Sequence, residues 1–226
     1  MKYLYLIIAV VLVSGLAISF YYLPRKMVIS DIECVDQFGK CDEALASSLK
    51  AGVGTNLLDS RKNVLGVLGF NTLISDYSVE YKFPDVLKVN VLRRKPRFAL
   101  SNDSGLVALV DGTGVVVGYS NETLLSTVNT VDNLAEVGKS VNENELLALK
   151  LVAGINSVDS VSRAEIQNEM VAVRMGNGID VLFPLDGDDE LLLGSLVMIM
   201  SKLDSDEELR ATTKTVDLRF DNPVLR

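Results

Sequence analysis

Ser47-Ser48-Leu49-Lys50 has the Ser-x-x-Lys spacing that sets a serine nucleophile beside a lysine in penicillin-binding enzymes. That acyl-transfer chemistry also needs Ser-Asp-Asn and Lys-Thr-Gly elements, and the chain has neither, so the match is read as coincidence. Gly52-Val53-Gly54 lacks the third glycine of a dinucleotide-binding turn and follows a helical pattern rather than a strand. Asp186-Gly187-Asp188-Asp189-Glu190 gathers carboxylates without the loop length or ligand spacing of a calcium site. Acids ahead of a helix suit its positive end, which is the preferred account. The chain has no histidine, the commonest general base. No enzyme is expected, and neither a cofactor nor a metal is called for.

Cys34 and Cys41 are the only cysteines and flank Asp36-Gln37-Phe38-Gly39-Lys40. A disulfide across that turn is one reading, given an oxidising compartment. Two small buried thiols are the other. Two cysteines without histidine fall short of the four ligands zinc usually takes. Arg93, Arg94, Lys95 and Arg97 crowd cations into a short stretch, read either as a solvated strand end or as a dock for an acidic partner or lipid headgroups.

Net charge of −8 and a pI near 4.7 argue against nucleic acid as a partner. From Tyr3 to Leu23 the chain is uncharged and rich in Leu, Ile and Val, between Lys2 and Arg25-Lys26. As a helix it would extend about 30 Å, the thickness of a bilayer's hydrocarbon core, so residues 3–23 are expected to form a transmembrane anchor. A cleaved signal peptide is the competing reading. Flanking charges nearly balance and leave orientation open. The rest is long enough for one or two domains with substantial cores.

The elements follow from periodicity. Met27 to Val35 reads as a strand. Acids at Asp42-Glu43 open a helix carrying Leu45 and Leu49. Asp59 or Ser60 is expected to cap a second helix with Val64, Leu65, Val67 and Leu68, closed by Gly69. Tyr77, Val79, Tyr81 and Phe83 alternate with polar residues, Pro84-Asp85 interrupts, and Leu87, Val89 and Val91 alternate in turn. This predicts an antiparallel pair with one apolar face that the two helices must cover. Beyond Arg97, Leu106 to Val117 reads as a hairpin around Asp111-Gly112-Thr113-Gly114. Ser140-Val141-Asn142-Glu143 has capping-box spacing and opens a helix with Leu146, Leu147, Leu149, Val152 and Ile155. Strands are expected over Val161–Ile166, Met170–Met175 and Ile179–Phe183. A helix over Asp188–Leu203 places Leu192, Leu196, Ile199 and Leu203 on one face. Thr213–Phe220 reads as a strand, with Asp221–Arg226 as one more after a turn at Asn222-Pro223.

The order strand, helix, helix, strand, strand resembles a POTRA domain. The residues that carry the likeness are Gly54-Thr55-Asn56-Leu57-Leu58-Asp59, Val79 to Val89 across the strand pair, and Arg94-Lys95-Pro96. With Leu109-Val110-Asp111-Gly112-Thr113-Gly114-Val115-Val116 and the closing Val216-Asp217-Leu218-Arg219-Phe220, nearly the whole chain resembles the FtsQ/DivIB family of bacterial cell-division proteins. The resemblance implies an α+β fold with a transmembrane helix at 3–23, a POTRA domain at 27–96 and a second α+β domain at 97–226 with a mainly antiparallel sheet. It also implies a noncatalytic scaffold in the bacterial cytoplasmic membrane at the division septum, N-terminus inside and bulk outside. FtsB-like and FtsL-like proteins would be its partners, with the POTRA domain open to further division proteins. In the family FtsB adds a strand to the edge of the second domain's sheet. Carried over by motif, that edge includes Phe220, Asp221, Asn222, Val224 and Arg226, with the Asp188–Leu203 helix beside it. Pro223 falls where this edge strand would form and cannot donate a hydrogen bond, so the partner's register is open. A POTRA-bearing translocation or assembly factor and an anchored cell-wall enzyme are the alternatives.

Overall fold

The computed structural model describes residues 12–14, 26–103, 105–220 and 222–226. Its contacts divide it into two compact units, one ending at Arg94 and one beginning at Lys95.

In the first unit, β1 (Asp31–Asp36), β2 (Gly39–Lys40), β3 (Ile74–Lys82) and β4 (Val86–Arg93) form a sheet in the order β2-β1-β4-β3. The β3–β4 pair is antiparallel, as the alternation predicts, and β1 lies parallel to β4. On β4 every second residue is buried: Leu87, Val89 and Val91. They pack with Leu45 and Leu49 of α1 (Glu43–Leu49) and Val64 and Leu68 of α2 (Leu57–Phe70) into one core. Asp42 caps α1, its carboxylate accepting from the Leu45 amide at 2.8 Å. The cap of α2 is Asn56, not Asp59 or Ser60. Asn56 Oδ1 accepts from the Asp59 amide at 3.0 Å, so Asp59 occupies the first turn, where a carboxylate suits the helix dipole. Strand β1 starts later than expected because Ile29 is engaged elsewhere. Its amide donates to Thr55 O at 2.9 Å and its carbonyl accepts from the Gly54 amide at 2.8 Å.

The second unit holds a nine-stranded sheet in the order β13-β12-β11-β10-β9-β8-β5-β6-β7. Its strands are β5 (Phe98–Asn102), β6 (Val107–Val110), β7 (Val116–Ser120), β8 (Thr127–Thr130), β9 (Val161–Gln167), β10 (Met170–Met175), β11 (Asp180–Pro184), β12 (Thr215–Asp217) and β13 (Val224–Leu225). Two long helices, α3 (Glu143–Asn156) and α4 (Asp189–Ser205), pack on it and against each other, and the short α5 (Glu207–Thr212) follows. Leu100, Val128, Leu151, Val181, Phe183 and Leu203 lie in their shared core, each almost wholly excluded from water. At roughly 25 cal/mol per Å² of apolar surface, such burial is the main force holding helices to sheet.

The expected fold class is corrected on its transmembrane helix. Among the described residues no helix is long and apolar enough to cross a membrane. The anchor expected over 3–23 falls, apart from Leu12–Ser14, outside the described residues. The second sheet is mixed but mainly antiparallel, as expected: β5–β8, β8–β9 and β11–β12 are parallel and its other five pairs antiparallel, while in the first sheet β1–β4 is parallel. The parallel pairs arise because β5 and β8 enclose a hairpin, while α3 and then α4 with α5 occupy the crossovers to β9 and β12. The α3 cap also shifts by two residues. Asn142 and Glu145 form the capping box, with Glu145 accepting from the Asn142 amide at 3.0 Å and Asn142 from the Glu145 amide at 2.8 Å. Gly114 closes the β6–β7 turn at φ +93°, a conformation that disfavours a side chain.

Candidate functional site

The C-terminal segment forms one end of the nine-stranded sheet. β12 lies between β11, to which it is parallel, and β13, to which it is antiparallel. The strand read as Thr213–Phe220 is therefore shorter, ending at Asp217. The cause is Asp217 itself, whose side chain is fully buried. Arg219 folds back over it: Nε donates to Oδ1 at 2.9 Å, Nη2 to Oδ2 at 2.7 Å, and its amide to Oδ1 at 3.3 Å. Arg226 adds a guanidinium nitrogen 3.8 Å from Oδ2. The bidentate bond to Arg219 holds the Asp217 carboxyl below the usual carboxylate range, against the opposing effect of burial. The bend carries the chain out and back, so that β13 runs along the outer side of β12.

The hydrogen-bond register of β13 fixes what it offers. Thr215 and Arg226 exchange both backbone bonds, Arg226 N to Thr215 O at 3.0 Å and Thr215 N to Arg226 O at 2.9 Å. Leu225 stands opposite Val216, one position along, so its N–H and C=O point away from β12 to the open side. Val224, opposite Asp217, turns its own groups inward. β13 starts directly after Pro223, which has no N–H. The exposed backbone edge thus consists of the Leu225 pair with the Pro223 carbonyl before it.

The carried-over residues fall into different roles. Phe220 is half exposed, with the Arg219 guanidinium 5.7 Å from its ring centroid. Asn222 and Arg226 are exposed, Val224 is half-buried, and Asp221 lies outside the described residues. Val216 and Leu218 are core. Sequence reasoning missed Leu225 and Asp217 as the residues that make the edge. A buried acid two residues before an arginine was visible, but hydrogen-bond parity is not written in side-chain types. At the opposite end of the sheet, β7 is partly covered: Val116 bonds through both backbone groups to Lys139 and Gly138.

The remaining candidates have local partners. The structure joins Cys34 and Cys41 in a disulfide, Cα atoms 5.4 Å apart, linking β1 to the entry of α1. Arg93 hydrogen-bonds Asp42 and lies 3.6 Å from Asp36, so it braces the same turn. Ser47 and Ser48 are exposed, and each donates to the Ala44 carbonyl at 2.9 Å. Asp188 caps α4, accepting from the Glu190 and Leu191 amides at 2.9 and 3.1 Å, and Asp189 pairs with Lys150 at 3.3 Å. Among the described residues no group of three or more acids and cysteines is placed to hold a metal ion.

No protein-family model matches the chain, and no curated protein matches it.

Proposed function

We propose that this protein is a noncatalytic scaffold of bacterial cell division of the FtsQ/DivIB kind. It would receive an extended segment of an FtsB-like partner along β13, with an FtsL-like protein held in the same assembly. The observation that carries the reading is the outward-facing Leu225 N–H and C=O at the end of the sheet. An unpaired strand edge is a template for strand addition, and short edges protected by proline avoid indiscriminate pairing. The Cys34–Cys41 disulfide supports a location outside the cytoplasm, where such bonds persist, and the reading places the protein at the septum.

The full chain, recovered from dividing cells, should retain FtsB-like and FtsL-like proteins identifiable by mass spectrometry. Leu225→Pro removes the outward N–H and should lower retention severalfold, whereas Leu225→Ala keeps that amide and should preserve it. Equal retention by both variants would refute the edge assignment. Absence of any division protein from the wild-type sample would refute the function.

A further inference from the structure

We infer that the end of the first unit where the chain enters it is a lipid-contact surface, with Phe83 inserting among the headgroups and upper acyl chains of a phospholipid layer. Three segments converge at this end. Val28 pairs with Asn56 in an antiparallel bridge, the Gly54 amide donates to Ile29 O at 2.8 Å, and the Ser30 amide donates to Asp85 O at 2.9 Å. The turn from β3 to β4 therefore lies beside the first residues of the unit and the entry of α2. In that turn Phe83 is 81% exposed, and the Tyr81 hydroxyl donates to the Pro84 carbonyl, which braces it. Val28 and Leu58, at the same end, are about half exposed. A phenylalanine held out of the core on a braced turn, with aliphatic neighbours, is suited to meet an apolar phase.

The neighbouring sequence selects the occupant. The residues from Tyr3 to Leu23 carry no charge and are rich in Leu, Ile and Val, and a run of that length and composition leaves water for hydrocarbon. Val28 lies five residues beyond Leu23, a reach of at most about 17 Å, so this end of the unit is tethered at the surface of the lipid that takes up the run. Leu12 and Val13, from the middle of the run, are 62% and 67% exposed, so that part of the chain does not cover the tip. Charge permits the approach. Lys26 is exposed, Lys82 pairs with Glu33 at 3.5 Å, and Arg61 and Lys62 are exposed one turn beyond Asp59. This end therefore escapes the repulsion from anionic headgroups that a net charge of −8 imposes on the chain as a whole. The surface belongs to the first unit and is independent of the β13 edge.

The chain has no tryptophan, so Phe83→Trp supplies a single fluorescent reporter in the turn. Phe70→Trp is the control, because Phe70 is 91% exposed at the far end of α2, about 20 Å along the helix from its start. Each full-length variant is placed in vesicles of phosphatidylcholine and phosphatidylglycerol, with and without bromine on the acyl chains, and its thermal transition is recorded beside wild type. Emission from position 83 should be blue-shifted, and brominated lipid should quench it severalfold more strongly than emission from position 70. Adding Val28→Asp with Leu58→Asp should at least halve that quenching, since charge then stands where aliphatic surface entered the lipid. Equal quenching at the two positions, or none at position 83, overturns the proposal. So does undiminished quenching with both aspartates in place. A blue-shifted emission at position 83 that bromine leaves untouched also overturns it, because protein, from this chain or a second copy, then covers the tip.

Discussion

Replacing Asp217 by asparagine isolates the group that holds the terminal strand in place. The change keeps the shape and one acceptor, so the bonds from Arg219 Nε and the Arg219 amide to Oδ1 can persist. It turns the other oxygen into a donor facing Arg219 Nη2, now 2.7 Å away. A hydrogen bond to a charged group contributes about 1.5–3 kcal/mol, and a third of the Arg219 side chain remains in water, so the loss should be about 2 kcal/mol at neutral pH. For a unit of this size that lowers Tm by roughly 6–10 °C.

The pH dependence supplies the sharper check. Because the folded-state pKa of Asp217 is depressed, its contribution is complete above the unfolded value of about 3.9 and is lost as pH falls through the folded value. Urea titrations of wild type and Asp217→Asn should therefore differ at pH 7 and converge on acidification below about pH 4. Hydrogen exchange should show the Arg226 amide, bonded to Thr215 O, opening faster in the variant. An undiminished gap at pH 2.5, or no gap at pH 7, would refute the buried ion pair as the clamp on β13.

Three other substitutions probe separate parts of the chain. Glu145 is almost fully buried, and burial raises its carboxyl pKa, with Asp132 adding to the effect and the Asn142 amide opposing it. A raised acid pKa means stability falls as pH rises through the unfolded value toward the folded one, so Glu145→Gln, which can keep the capping box, should melt above wild type at pH 7 and lose that advantage near pH 4. Cys34→Ser with Cys41→Ser opens a short loop and should destabilise the first unit by about 2 kcal/mol, read as a lower denaturation midpoint that dithiothreitol reproduces in wild type. Leu225→Ala should alter stability only modestly, since its half-buried side chain borders the core without entering it, and calorimetry beside the Asp217 variant measures the difference.

Side-chain periodicity made much of this fold legible. Alternation along Leu87, Val89 and Val91 identified β4 and its buried face, and the apolar spacing of α3 and α4 identified both helices. Periodicity failed where another signal governs. β5 is buried at four consecutive positions, Phe98 to Ser101, so it has no period-2 pattern to read. β8 has only four residues, too few for the alternation of buried Val128 and Thr130 with Thr127 and Asn129 to stand out. Cap positions slipped by two to four residues because Asn56 and Asn142 compete with equally suitable neighbours, and the choice depends on where the preceding backbone leaves the core. At the candidate edge, Val216, Leu218 and Phe220 alternate as one strand face would, yet only the first two are buried. The Arg219–Asp217 pair ends the strand before Phe220, a tertiary event that alternation cannot anticipate.

That ending sets the energetics of the proposed partner site. Leu225 offers one donor and one acceptor, and Pro223 one further acceptor. At about 0.5–1.5 kcal/mol net per hydrogen bond, these amount to roughly 3 kcal/mol, far below the 8 kcal/mol of a micromolar complex. Side chains must therefore carry most of the affinity, and Phe220 is the large apolar group placed to do so, half exposed with Arg219 against its ring. Phe220→Ala should reduce partner affinity by about tenfold to a hundredfold, as interface aromatics typically do, and should leave the thermal transition almost unchanged because the ring is not part of the core. Titration calorimetry with the captured partner decides it. Full affinity in Phe220→Ala, with binding lost only in Leu225→Pro, would mean that backbone pairing alone holds the partner, and that the two-residue edge is the visible part of a longer strand completed by the partner itself.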